Sequence, residues 1–417
     1  MEASDFGALT ERRRRAPLTG PTRFARLWAA VGISNLGDGV AAAALPLLAA
    51  ALTRDPVLVA GLTVAQQLPW LLLALPAGAI ADRSDRRVLM WRTDAVRGLA
   101  LAAFGLLVVL DQGSLALLYV LAFALGVGET LFDTAYRSLL PSLVANEELE
   151  RANARLYGAE IVANRFAGPP LGGLLFAAAA SAPFLLDAGT FLLAAIAVFA
   201  IGGSFRPPAV ATGATPIRIA VREGLRWLAA HRLLRSLAVV VSVWHLVWAA
   251  GNAILVLYAQ ELLGMGSAGF GILLAAGAIG SLVGTAVAAR LAESLGRRRA
   301  LAGSVALAAL AQVGFAVTSS PVTAAIALGV SGTCAVVWNV ITVALRQRLA
   351  PDALLGRVNG AYRFAAMGAV ALGAVMGGVL ASIDLRLPFY VAATTLVVTA
   401  VGLLLATRDA RSSTVIT

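Results

Sequence analysis

The chain has 417 residues, 59% hydrophobic and 13% charged, with a formal net charge of +11. Soluble domains carry about 25% charged residues, and a water-soluble fold of this length has too little interior for so much apolar surface, so lipid is the expected solvent. All 33 basic residues are arginine: without lysine there is no Walker phosphate loop and no Schiff-base chemistry, and the single cysteine, Cys334, excludes an internal disulfide and a four-cysteine metal site.

A membrane-spanning helix needs roughly 20 mostly apolar residues. Twelve candidate runs follow one another, at about 26–52, 57–80, 93–110, 115–136, 153–179, 184–203, 233–259, 268–292, 300–318, 322–345, 359–382 and 388–406. None alternates as a transmembrane β-strand does. The arginine-rich first 25 residues precede no short apolar core with a cleavage site, so they are not read as a secretory signal. The predicted organisation is a tail 1–25, a six-helix unit 26–203, a polar linker 204–232, a second six-helix unit 233–406 and a tail 407–417. The linker holds Pro207, Pro208 and Pro216, then an amphipathic run at about 217–228 that reads as a surface helix.

With both termini on one side, that side collects the arginines at 12–15, 23 and 26, the group Arg83–Arg97, Arg137, Arg151, Arg155 and those from 206 to 235. It also collects Arg290, Arg297–Arg299, Arg346, Arg348, Arg357, Arg408 and Arg411. The other side keeps Arg54 and Arg386. Basic loops stay in the cytoplasm, which places both termini there. The net charge then requires no nucleic acid, and the run at 11–15 is expected to touch anionic lipid.

An offset of 206 residues superposes several features. Gly78 meets Gly284, Phe132-Asp133 meets Trp338-Asn339, Arg151-x-Asn153 meets Arg357-x-Asn359, and Gly172 meets Gly378. Two parallel six-helix repeats are the build of a rocking transporter with its site at mid-membrane between them.

The turn between runs 2 and 3 reads GAIADRSDRRVL, residues 78–89. Gly78, Asp82, Arg83, Arg86 and Arg87 resemble the loop signature G-x-x-x-D-R-x-G-R-R of the major facilitator superfamily, with Asp85 where the pattern has glycine. GPPLGG, with Gly168, Pro169, Gly172 and Gly173, resembles the G-P-x-x-G-G signature of antiporting exporters. SNLGDG (34–39), ADRSDRR (81–87), ANARLYGAE (152–160) and NRFAGPPLGG (164–173) are most similar to the branch of siderophore exporters and macrolide efflux pumps. The resemblance covers nearly the whole chain and implies an all-α, twelve-helix fold in two pseudo-symmetric bundles. It also implies a gating latch. Asp82 would face the start of helix 11 near Asn359, where a helix N-terminus is partly positive, and Arg83 or Arg87 would pair with Asp133 on helix 4, holding the halves together when the site faces outward and releasing them when it faces inward.

An acid at the bilayer centre costs at least ~2.5–3.5 kcal/mol, so intramembrane charge needs a reason. Asp38 lies near the middle of helix 1. Glu129 and Asp133 share a face of helix 4, four residues apart. Glu160 and Arg165 lie in helix 5, five apart, and in an α-helix they diverge by some 140°. Asp38, Glu129 and Glu160 are the candidates for proton carriage, because burial and a nearby arginine move a carboxyl in opposite directions. Asp38 is equally read as a packed or kink-capping residue. Arg165 is a counter-ion or a substrate contact. Trp244, Trp248 and Asn252 recur on one face of helix 7, and the resemblance puts helices 1, 4, 7 and 10 around the cavity. These aromatics, with Trp338 and Asn339, would stack on a bulky substrate, or else serve as core or lipid-facing residues. Trp28, Trp91, Tyr119, Tyr258 and Tyr390 are expected interface anchors.

No HExxH zinc site and no G-x-S-x-G elbow occur. No enzyme activity, cofactor or metal is expected. The reading is a monomeric exporter in a bacterial cytoplasmic membrane, driven by proton antiport and moving a partly apolar drug or siderophore. The alternative is an importer or facilitator without a proton step.

Overall fold

The computed structural model describes residues 21–206 and 226–408. The arginines at 12–15, most of the linker's amphipathic run and the C-terminal tail lie outside the described residues. Those described form helices without a strand. In the first half they are α1 (Pro21–Leu52), α2 (Pro56–Arg83), α3 (Arg86–Val109), α4 (Leu115–Leu139), α5 and α6 (Ala182–Phe199). Helix α5 has three successive parts: Leu149–Glu160, a π-wound Ile161–Ala167, and Gly168–Ala178. In the second half they are α7 (Arg232–Ala253), α8 (Ser267–Ser294), α9 (Arg297–Val317), α10 (Pro321–Leu349), α11 (Asp352–Ala381) and α12 (Leu387–Arg408). Among the described residues, nine of these are long and apolar enough to cross a membrane. The others are α3, which opens on charged residues, α5, which is interrupted by its π turn, and α12, apolar over Leu387–Gly402.

Polar and proline residues set the helix starts. Asp55 Oδ1 accepts from the Val57 amide at 2.8 Å, Ser114 accepts from the Leu117 amide at 3.3 Å, and Pro56 and Pro321 occupy first-turn positions. Several helices run past their apolar stretch into the charged turn. Helix α3 begins at Arg86 rather than near 93, and α9 begins at Arg297 rather than near 300. The span expected at 233–259 stops at Ala253 and resumes as Leu255–Leu257 and a π-wound Tyr258–Leu262.

The two halves repeat one packing scheme. In the first, α1 packs on α5 and α6, α3 on α4 and α6, and α2 on α4. In the second, α7 packs on α11 and α12, α9 on α10 and α12, and α8 on α10. Absent side chains allow the closest crossings. A Cβ at Gly39 would collide with the Asn164 backbone, one at Gly168 with Gly39, and one at Gly172 with the Val40 carbonyl. The signature glycines Gly168 and Gly172 of α5 are thus packing surfaces against α1. Tyr258 corrects one expectation. It is fully buried, donates to the Phe315 carbonyl at 2.7 Å and meets the rings of Phe315 and Phe389, so it belongs to the core. Trp91 packs edge-on to Phe199 and Tyr119 donates to the Leu58 carbonyl, while Trp28 and Tyr390 are exposed.

The halves meet along two seams, α5 with α8 and α2 with α11. Close approach is concentrated at the end away from the termini. Gly173 lies on Ser267 and Gly271, a Cβ at Gly378 would sit 2.9 Å from the Val57 Cα, and Arg54 donates to Gln260 Oε1 at 2.6 Å. Toward the end carrying the termini, Gly78, Gly158 and Gly360 have no atom within 4 Å of an added Cβ.

Replacing Gly39 with alanine is expected to cost about 1–3 kcal/mol, because backbone on both sides must move. Gly189→Ala meets open space and, in a helix interior, should not destabilise. Thermal unfolding of the purified variants checks the contrast.

Candidate functional site

The first half contains a polar cavity of about 160 Å³, lined by Ser34, Asn35, Asp38, Arg97, Glu129, Phe132, Asp133, Tyr136, Glu160, Asn164 and Arg165. Four helices supply these groups: α1, α3, α4 and α5. The cavity gathers Asp38, Glu129, Glu160, Arg165 and Asp133, which the sequence placed on three separate helices.

The local backbone explains how Glu160 and Arg165 come together. Pro169 and Pro170 lack amide hydrogens, so the turn before them cannot close its usual hydrogen bonds. The segment Ile161–Ala167 winds as a π-helix instead. Each π hydrogen bond spans five residues, so positions five apart return to one side. The divergence expected from α geometry is therefore corrected, and both side chains line the cavity.

Arg97 is the principal addition to the expected set. Counted with the cytoplasmic arginines, it is instead 4% exposed and deep in the first half. Helix α3 starts at Arg86, so Arg97 stands eleven residues in, about 16 Å along the axis. Its Nη2 donates to Asp38 Oδ1 at 2.5 Å, its Nη1 lies 3.9 Å from Asp94 Oδ1, and its guanidinium covers the Phe191 ring at 3.9 Å. Gly128 on α4 makes room for its stem, where a Cβ would lie 2.5 Å from Arg97 Cδ. Asp94 and Asp187, also absent from the expected set, are buried beside it. Thr190 donates to Asp187 Oδ1 at 3.1 Å, and both side chains lie where a Cβ on Gly37 would fall. Their signal was present in the sequence: Asp94 and Arg97 are three apart at the start of one apolar run, and Asp187 lies near the start of another.

The second half contributes no wall to this cavity. Trp244 and Trp338 are buried against each other, with ring centroids 5.9 Å apart. Trp248, Asn252 and Asn339 are exposed and stand apart from the cavity-lining set. Arg346, counted with the cytoplasmic arginines, is buried with its guanidinium 3.7 Å over the Tyr362 ring. Arg363 on α11 lies 4.5 Å over Trp70 on α2 and so bridges the halves.

With the halves apart toward the end carrying the termini, the latch residues take local partners. Asp133 pairs with Arg137 at 3.3 Å, one turn along α4. Arg86 donates to the Ser138 carbonyl and Arg87 to the Phe199 carbonyl, each at 2.8 Å. These are the closing turns of α4 and α6, whose free carbonyls and partial negative charge attract cations. Among the described residues, a pair of Arg83 or Arg87 with Asp133 is not formed in this arrangement. Arg83 lines a small groove with Ser84, Asp85 and Arg206, Asn359 is exposed on α11, and no side chain packs on Gly78. The Asp82 side chain lies outside the described residues. Asp85, the departure from the signature, accepts from the amides of Arg87 at 3.0 Å and Val88 at 3.3 Å, capping α3, and from the Phe205 amide at 3.0 Å. Burial pushes its carboxyl upward, but the hydrogen bonds from Ser204, Phe205, Val88 and Arg87 outweigh this and hold it below the usual aspartate value.

Duplicated bundles, glycine-lined crossings and a charged cavity at membrane depth agree with the comparison to known proteins. The transmembrane secretion effector family of major facilitator proteins matches residues 14–414. The chain belongs to that family. It is a multi-pass membrane transporter with a small-molecule substrate. It is 26% identical over 393 residues to the uncharacterized MFS-type transporter y4rN of Sinorhizobium fredii, covering 94% of this chain and 96% of that one. It is 27% identical over 307 residues to the enterobactin exporter EntS of Escherichia coli, covering 72% and 71%. Its fold matches a bacterial homologue of the iron transporter ferroportin in an inward-facing state, with a TM-score of 0.71 at 19% identity over 92% and 98% of the two chains.

Asp85→Ala should lose a helix cap worth about 0.5–2 kcal/mol at neutral pH. Because the folded carboxyl titrates below its unfolded value, this contribution is complete above the unfolded value and fades as pH falls through the folded one. Unfolding midpoints of parent and variant, measured as pH is lowered, should therefore converge in acid.

Proposed function

We propose that this transporter exports a partly apolar small molecule, of drug or siderophore type, by proton antiport with alternating access. The observation that carries the reading is the cavity holding Asp38, Glu129 and Glu160 together with Arg165 at membrane depth. Intramembrane acids are costly and mark proton or ion pathways. In a carboxylate facing both an arginine and an opening cavity, proton affinity shifts as the surroundings change. The relative named as an enterobactin exporter supports the direction and the substrate class.

In this reading the protein is a monomer in a bacterial cytoplasmic membrane with both termini in the cytoplasm, and its basic tail touches anionic lipid. The packed seams then close the periplasmic end while the halves stand apart toward the cytoplasm. A protonated set of acids releases its proton inward, and the cavity accepts substrate in exchange. The exposed aromatic and amide groups of α7 and α10, Trp248, Asn252 and Asn339, face the substrate from the second half. On rocking, Asp82, Arg83, Arg86 and Arg87 with Gly78 exchange their present contacts for Asp133 and the start of α11 near Asn359. Inward proton movement yields ~2.3 kcal/mol per 100 mV and ~1.36 kcal/mol per pH unit, enough for a substrate gradient of roughly one to three powers of ten.

Inverted vesicles containing the protein test this with a labelled siderophore and a lipophilic drug. Accumulation should require an acid interior and vanish when the gradient is collapsed. Glu129→Gln and Glu160→Gln should lower accumulation at least tenfold while leaving exchange of labelled for unlabelled substrate. Normal accumulation by both variants contradicts the carrier assignment, and uptake indifferent to the gradient supports a facilitator.

A further inference from the structure

The proton reading above uses the carboxylates that line the cavity. Beneath them lies a second layer that it leaves unused. Asp94 on α3 and Asp187 on α6 are 0% and 1% exposed, and neither Asp94 oxygen nor Asp187 Oδ2 has a hydrogen-bond partner. One guanidinium, that of Arg97, serves this layer. It is committed to Asp38 at 2.5 Å and stands 3.9 Å from Asp94. The other charged groups facing it are Glu129 from α4 and Asp187 from α6. On the cavity side, Asp133 of α4 pairs with Arg137, and Glu160 and Arg165 of α5 line the wall.

The charge inventory does not balance if every acid is ionised. An ionised carboxylate without a hydrogen bond or a paired cation is strongly disfavoured away from water. Asp38, partly open to the cavity, already takes the guanidinium. Asp94 has only Arg97 Nη1 at 3.9 Å, beyond hydrogen-bond reach on a guanidinium already bonded to Asp38, and Asp187 has the Thr190 hydroxyl for one oxygen. A proton on either acid removes that penalty.

We infer that Asp94 holds a proton while Arg97 is paired with Asp38, and that Arg97 can turn to Asp94, releasing that proton, when Asp38 is neutralised. The step balances as one proton: the O–H bond of Asp94 breaks, an O–H bond forms on Asp38, and the guanidinium moves from the second carboxylate to the first. A swing across the gap between two acids one layer apart is small enough for a long arginine side chain rooted beside Gly128. The layer thus works as a sealed proton store linked to the cavity through one cation. Its use in transport rests on the antiport reading, but the protonation of Asp94 does not.

Infrared spectroscopy of the full chain in lipid vesicles tests it without substrate. At about pH 8, where exposed carboxyls are ionised, labelling the protein with ¹³C-aspartate should shift a protonated-carboxyl absorption, and absence of any such band overturns the proposal. Asp94→Asn, which keeps the shape of a neutral acid, should remove part of that band. Asp38→Asn leaves Asp94 chemically intact but frees Arg97, and should remove the same part. A band unchanged in Asp94→Asn refutes the stored proton. A band lost in Asp94→Asn and kept in Asp38→Asn refutes the exchange. Gradient-independent transport with these bands as expected would instead fault the antiport reading alone.

Discussion

The site depends on one buried cation. Arg97 enters the first bundle from α3 and is held by Asp38 of α1, Asp94 of its own helix and the Phe191 ring of α6. A guanidinium at this depth is tolerable because a short hydrogen bond to Asp38, the nearby Asp94 and a stacking ring are supplied by protein. In return it fixes the carboxylate of Asp38 at the cavity wall and makes room for acids that no other cation reaches. Gly128 is the steric condition for this: any side chain there would occupy the path of the arginine stem.

The two halves share a packing scheme but not their interior acids. Membrane-embedded acids of the first half are Asp38, Asp94, Glu129, Asp133, Glu160 and Asp187. Among the described residues of the second half, Glu261, Glu293 and Asp384 lie at helix ends. At the repeat positions of Asp38 and Phe132-Asp133 stand Trp244 and Trp338-Asn339, with the two indoles packed together. Duplication has kept the backbone crossings, where glycine lets helices touch, and let the polar interior diverge.

Much of this was legible because lipid imposes strict demands. Runs of about 20 apolar residues coincide with the long helices, and the 206-residue offset matches the packing scheme that the two halves share. Asp38, Glu129 and Glu160 stood out because acids in such runs are rare. Arg97 and Asp94 did not, because their run was started at 93, and a helix start seven residues earlier moves them from the interface to the interior. Glu160 and Arg165 were separated by assuming α winding through a segment that two prolines force into a π turn. The pairing of the loop arginines with Asp133 is implied by the resemblance alone, whereas in this arrangement the free carbonyls at the ends of α4 and α6 receive Arg86 and Arg87. Hydropathy cannot reveal any of these three, since each is decided by backbone geometry.

The central claim, that a single guanidinium compensates the acids at the base of the cavity, is tested most directly by the stability of Arg97→Leu. The account predicts a loss of about 3–5 kcal/mol at neutral pH, because one partner of a buried pair is left charged. It also predicts partial recovery as pH is lowered and the stranded acids take up protons. An unfolding midpoint equal to the parent's at neutral pH, unchanged on acidification, would contradict it.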